Sequence, residues 1–216
     1  MKTLFIDSSR KSLSIALANE NKLLFVSNVN SYSKHSNYLM SEIASNFEKI
    51  GISVNDIDNI VVLNGPGSFT GIRVGVTIAK TLAWTLNKKL YLLNNLEAIK
   101  ANIENEIVIS TIYDKSLSSY VGIYSEDSKI EDYLLLESDL LNINNKNITI
   151  VYMEENEFVS NLKTKLENNN NITLKKIEEY NYLKVIESAM MRGDINPHLA
   201  EPIYLKKIDA EKKSVN

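Results

Sequence analysis

Asn64-Gly65-Pro66-Gly67-Ser68-Phe69-Thr70-Gly71 gathers three of the chain's seven glycines and one of its three prolines. A β-branched apolar run, Ile60 to Leu63, precedes it, and a helical pattern from Ile72 to Leu86 follows. A glycine turn between a strand and a helix exposes backbone N–H groups at the positive end of the helix dipole. Such a place suits an anion or a partner's carboxylate. Two nucleotide chemistries fail on spacing. A P-loop places Lys and then Ser or Thr after its last glycine, and Gly71 is followed by Ile72-Arg73. A dinucleotide fingerprint needs a third glycine where Thr70 stands and an acidic residue about 20 positions on, and the nearby residues are Asn87-Lys88-Lys89. A tight corner that holds no ligand remains the plain alternative.

Other reactive groups are sparse. The chain has no cysteine, which excludes disulfides, thiolate metal sites and a Cys nucleophile. Its two histidines, His35 and His198, are far apart and neither has a second histidine one helical turn away. No metal site is expected. A net charge of −3 offers no basic field to hold nucleic acid unaided. With 44% hydrophobic and 24% charged residues, the 216-residue chain reads as an ordinary soluble globular protein with ample material for a core. No leader or membrane span is read, so the cytoplasm is the expected compartment.

The elements around the corner follow from hydrophobic periodicity. Leu4–Ser9, Leu13–Leu17 and Leu23–Val29 read as three strands, with a hairpin turn at Asn19-Glu20-Asn21. A helix over Ser36–Ile50 places Leu39, Met40, Ile43, Phe47 and Ile50 on one face, and Gly51 ends it. The Ile60–Leu63 strand, the Ile72–Leu86 helix, a strand at Lys89–Leu93 and a helix at Glu97–Asn102 complete one mixed α/β unit. From Ile107 the pattern repeats. Strands are expected at Ile107–Tyr113, Tyr120–Tyr124, Lys129–Leu136, Asn147–Val151 and Ile172–Leu174, with helices at Glu137–Leu141, Glu154–Leu166 and Tyr180–Met191. The echo predicts two similar lobes, 1–102 and 103–216.

On a helical wheel, Gly71, Gly75, Ala79 and Ala83 form a ridge of small residues flanked by Ile72, Val76, Ile78, Leu82 and Leu86. Such a ridge lets another backbone come close. The opposite side carries Val74, Thr77, Thr81, Thr85 and the chain's single tryptophan, Trp84, beside Arg73 and Lys80. A helix apolar on one face and half-apolar on the other is expected to be covered on both sides. Trp and Arg are hot-spot residue types at interfaces, and an intermolecular contact is favoured over cover by the chain's own second lobe because the first helix could add its surface. Gly75→Leu or Ala79→Leu is therefore expected to disrupt dimerisation.

The stretch Asn64 to Lys80 strongly resembles the signature of the TsaB (YeaZ) family. Ile6-Asp7-Ser8-Ser9, His35-Ser36 and Pro202-Ile203-Tyr204-Leu205-Lys206 match that family as well. Asn37 stands where the family usually has Glu, and Asp114 to Tyr120 keeps only its first and last residues of the family's pattern. The resemblance implies an actin-like ATPase fold with two ribonuclease-H-like lobes. It implies a non-catalytic scaffold that pairs with TsaD, or with a second copy of itself when isolated, and is joined by TsaE. The task of that assembly is threonylcarbamoylation of tRNA adenosine 37, with tRNA bound only through the complex and no membrane contact.

The partner face expected from the motif and its helices comprises Leu39, Ile43, Phe47, Gly65, Pro66, Gly67, Ser68, Phe69, Thr70, Gly71, Ile72, Arg73, Gly75, Val76, Ala79 and Ala83. In actin-like ATPases the residue matching Asp7 begins a phosphate hairpin. Here Asp7-Ser8-Ser9 lacks the glycine that lets amides approach a phosphate, so a weak nucleotide contact is the most expected of it. No cofactor of the chain's own is expected, with ATP and metal on partner subunits. The alternative is an actin-fold ATPase or kinase-like enzyme with a degenerate hairpin. A peptidase lacks zinc ligands and a Ser–His or Cys–His pair, and is rejected.

Overall fold

The structure is a computed structural model that describes residues 1–30, 35–105, 107–115, 118–125, 129–134, 147–167, 169 and 171–205. The chain divides into two compact units, one of 1–102 with 180–202 and one of 103–179 with 203–216. In the first, β1 (Lys2–Asp7), β2 (Ser12–Asn19) and β3 (Lys22–Asn30) form an antiparallel meander. Then β4 (Asn59–Leu63) adds parallel to β1, and β5 (Lys89–Leu93) parallel to β4, giving the order β3-β2-β1-β4-β5.

One face of this sheet, with Leu4, Ile6, Leu13, Ile15, Ile60 and Val62, is buried under α1 (His35–Ile50) and α2 (Phe69–Thr85). Both faces of β1 and β4 are buried, as a parallel centre demands. α3 (Asn95–Lys100) follows β5, and Asn94 caps it by accepting a hydrogen bond from the Leu96 amide at 2.8 Å.

The second unit repeats the plan. β6 (Ile107–Lys115), β7 (Ser118–Tyr124) and β8 (Lys129–Leu134) are antiparallel neighbours, and β9 (Ile148–Tyr152) and β10 (Ile172–Lys176) add in parallel, in the order β10-β9-β6-β7-β8. Read from the meander outward, the two orders are the same. α4 (Glu157–Leu166) buries Phe158, Val159, Leu162 and Leu166 against Ile109, Ile148 and Ile150. The helix expected at Glu137–Leu141 lies outside the described residues.

The domain assignment differs from expectation at its far end. α5 (Tyr182–Met190) was assigned by pattern to the second lobe, yet 180–202 join the first unit. There Phe5 packs edge-on against Tyr180 and Tyr182 at centroid distances of 5.9 and 5.4 Å. An isolated bridge pairs Ile195 with Leu90 of β5. Amphipathic spacing says that a helix will bury one face and leaves open which sheet receives it.

Candidate partner-binding surface

β4 ends at Leu63, and the corner turns through Gly65, whose φ of 114° is left-handed-side backbone that favours glycine. Ser68 caps α2, its Oγ accepting from the Gly71 amide at 3.3 Å. The corner is tied to the turn after β1. Ser68 N donates to Ser9 O at 2.8 Å, Ser8 Oγ to Gly71 O at 2.8 Å, and Gly65 N to Asn95 Oδ1 at 2.8 Å.

This contact fills the N-terminal half of the small-residue ridge. A Cβ on Gly71 would stand 1.9 Å from the carbonyl oxygen of Ser8, and one on Gly75 would stand 2.3 Å from Ser8 Oγ. The backbone that comes close is the chain's own. Gly71, Ile72, Gly75, Val76, Ala79 and Ala83 are all buried within the first unit, and so are Leu39, Ile43 and Phe47 of α1. Gly65 and Pro66 are buried too. None of these side chains faces outward, so their assignment to a partner face is corrected, and Gly75→Leu would break the fold rather than a dimer. Of the expected set, Ser68, Thr70 and Arg73 are exposed, and Gly67 and Phe69 half-buried. The guanidinium of Arg73 lies 5.8 Å from the Phe69 ring centroid.

The outward face of α2 is a different set. Thr70, Arg73, Thr77, Thr81, Trp84 and Thr85 are exposed, and Trp84 keeps 65% of its surface open to solvent. α1 packs along one side of α2 and contributes exposed Tyr38 and Met40. Met40 was expected on the buried face and stands outside it. A short 3-10 turn, Pro197–Leu199, flanks α2 and presents exposed Leu199, while His198 meets the Trp84 ring edge-on at 5.6 Å. Tyr38, Met40, His198 and Leu199, exposed beside α2, were not among the residues expected to form a partner face. The signal for Trp84 was in the sequence, as the odd aromatic on a threonine face. His35, Ser36 and Asn37 begin α1, and their side chains lie outside the described residues.

The weak nucleotide contact assigned to Asp7, Ser8 and Ser9 does not match the geometry. Asp7 has no exposed surface. Its Oδ1 accepts from Ser9 N at 2.8 Å and Ser9 Oγ at 2.5 Å. Its Oδ2 accepts from Arg10 Nε at 3.1 Å and Tyr180 OH at 3.2 Å. Burial, first, and the neighbouring carboxylate push the Tyr180 hydroxyl well above the ordinary phenol range, so it stays a donor at neutral pH. Residues so engaged do not fit a phosphate. Among the described residues no three His, Cys, Asp or Glu side chains come together as metal ligands, and no helix is long and apolar enough to cross a membrane.

In class, two units of one strand order, each a three-stranded meander extended by two parallel strands and carrying helices, make an actin-like, ribonuclease-H-like α/β protein. More particularly, the resemblance to the TsaB (YeaZ) family is borne out in sequence and in fold. The tRNA threonylcarbamoyladenosine biosynthesis protein TsaB of Bacillus subtilis (strain 168) is 32% identical over 143 residues, which is 65% of this chain and 62% of that protein. YeaZ from Pseudomonas aeruginosa superposes with a TM-score of 0.73 at 18% identity, over 94% of this chain and 99% of that one, a likeness of fold. Residues 29–111 match the family model of TsaD, the tRNA N6-adenosine threonylcarbamoyltransferase. The enzyme of that name from Treponema denticola is 32% identical over 76 residues, 34% of this chain and 22% of that protein. The chain thus spans less than two thirds of the length of these curated relatives.

Proposed function

We propose that this chain is a non-catalytic subunit of a cytoplasmic tRNA-modifying assembly. It pairs through the outer face of α2 and the adjoining surface of α1 with TsaD, and TsaE joins the pair. The observation that carries the reading is the open face of Thr70, Arg73, Thr77, Thr81 and Trp84, on a helix whose inner face is fully used by the chain's own core. An exposed tryptophan ringed by small polar side chains has the anatomy of an interface hot spot.

The similarity of residues 29–111 to the TsaD model covers α1, β4, the glycine corner, α2, β5 and α3. A partner with the same two helices can meet them in a near-isologous pairing, and a second copy of this chain can do the same in isolation. ATP, metal and the transfer to adenosine 37 then belong to the partner subunits. tRNA is reached through the complex, because the chain's own net charge is −3.

Reconstitution tests this. Supplied with tRNA, ATP and an activated threonylcarbamoyl donor, TsaD and TsaE from the same organism should form the threonylcarbamoylated nucleoside at full rate only when this chain is added. Full rate without it sinks the scaffold role. Trp84→Ala should keep the fold and weaken the TsaD complex at least about 30-fold, the loss of a hot-spot residue. Unchanged affinity by calorimetry would remove this face from the interface.

A further inference from the structure

Among the described residues of the first unit, Asp7 is the one fully buried carboxylate, and the docking surface leaves it without a task. It joins two parts of the unit that are remote in sequence. On one side stand Arg10 and the return segment, through Tyr180 OH. On the other a chain of hydrogen bonds leads to the glycine corner. Ser9 Oγ donates to Asp7 Oδ1 at 2.5 Å, Asn95 Nδ2 donates to Ser9 Oγ, and the Gly65 amide donates to Asn95 Oδ1 at 2.8 Å. Every donor in that series points the same way, toward the carboxylate, so each bond polarises the next. Two backbone bonds run in parallel with it, Ser68 N to Ser9 O and Asn95 N to Gly65 O, both 2.8 Å. Asp7, Ser9 and Asn95 are all shut away from water.

We infer that Tyr180 and Asp7 form a latch that sets the pose of the docking helix: by fixing the Asp7 carboxylate, the return segment holds the Ser9–Asn95–Gly65 relay taut and so aims α2. This rests on the reading of α2 as the partner-binding helix. The geometry follows from the two oxygens. A carboxylate rotates about one bond, and Oδ2, held by Arg10 and Tyr180, fixes where Oδ1 lies. Ser9 is then drawn to one position, and its carbonyl meets the Ser68 amide at the cap of α2. The guanidinium of Arg10 also sits 4.7 Å from the Tyr180 ring centroid, so the same two groups grip each other as well as the carboxylate. Asp7 thereby serves as an internal anchor.

Amide exchange by NMR on the isolated full-length chain tests the latch without any partner. Tyr180→Phe keeps the ring and deletes only the hydroxyl. It should speed exchange at the Gly65 and Ser68 amides at least about 10-fold, while Phe5 and Val61 in the central strands stay as protected as before. Ser9→Ala, which cuts the relay, should do the same. Tyr182→Phe is the control: its hydroxyl donates to Asn28 Oδ1 at 3.0 Å, away from Asp7, and its loss should leave the corner unchanged. Corner exchange that does not rise, or rises equally in the central strands or in Tyr182→Phe, overturns the latch. TsaD binding is the second reading, with Tyr180→Phe expected to weaken it several-fold. A loosened corner with unaltered affinity overturns the link to docking. If Trp84→Ala also bound TsaD normally, the docking reading itself would fall, whatever the exchange data showed.

Discussion

Gly71 leaves no room for a methyl group, because the atom in the way is a backbone carbonyl, Ser8 O, at 1.9 Å from an ideal Cβ. A flexible side chain would yield; here the turn after β1 must shift and lose the hydrogen bonds that tie it to the corner. Gly71→Ala should therefore cost about 3 kcal/mol or more of stability. Thr70→Ala, one residue earlier and exposed, should stay within about 0.5 kcal/mol of the wild type. Urea titration of the two variants checks the pair, and equal midpoints would refute the steric account. The residue pattern made this close approach legible, since an i, i+4 row of Gly and Ala says that something comes near. It did not say what. Ser8 lies 63 positions upstream of Gly71, and no local spacing reveals that a turn from the first strand fills the groove. The ridge was read as facing a partner for that reason, while the true outward face lay on the other side of the same helix.

Among the elements, α1 shows how a helix beside the proposed docking face is pinned. Its apolar face sinks Leu39, Ile43 and Phe47 into the core, with Phe47 edge-on to Phe25 of β3 at 5.7 Å. On the flank, Glu42 accepts from Ser27 Oγ of β3 at 2.6 Å and from Asn46 Nδ2 at 2.9 Å. The Ser27 hydroxyl chiefly, with help from Asn46 and the Lys49 charge and against partial burial, holds the Glu42 carboxyl below the usual carboxylate range. A depressed folded value means the unfolded chain binds the proton more readily as acid is added. The stabilisation is whole above the ordinary Glu value and drains away as pH falls through the depressed one. Glu42→Gln keeps acceptors for both donors but carries no charge to lose. The melting-temperature gap between wild type and Glu42→Gln should accordingly narrow from about pH 6 to about pH 3. A constant gap would mean that the charge on Glu42 contributes nothing to holding α1. The helix itself was legible in the sequence, because its apolar period and terminal Gly51 mark it. Ser27 and Glu42 were not, since a polar tie between a strand and a helix leaves no periodic trace.

For the whole molecule, the echo of three strands followed by alternating helix and strand revealed both units, and the repeated strand order is its structural counterpart. What the echo concealed is that residues 103–179 of the second unit lie between two parts of the first. Residues 180–202 come back to complete the sheet face that carries Phe5. α5 buries Tyr182, Val185 and Ile186 there, at about 1.5–3 kcal/mol for each. That total is comparable to the roughly 5–15 kcal/mol by which an entire domain is stable. Polar ties add to it: Tyr182 OH to Asn28, Arg192 to Glu97, and Asn64 Nδ2 to Glu201 O at 3.1 Å. A fragment of 1–102 therefore exposes one side of its central strands and should bind a hydrophobic dye and melt without a cooperative transition. Because the Asn181 amide donates to Asn102 Oδ1, the two cut ends lie together. A short Gly/Ser linker joining 102 to 180 should then restore a cooperative unit without any of 103–179. Chemical denaturation of both proteins decides the matter. If 1–102 alone unfolded cooperatively with the stability of the joined form, the return segment would be an ornament on a self-sufficient lobe, and the latch at Tyr180 would lose its structural footing.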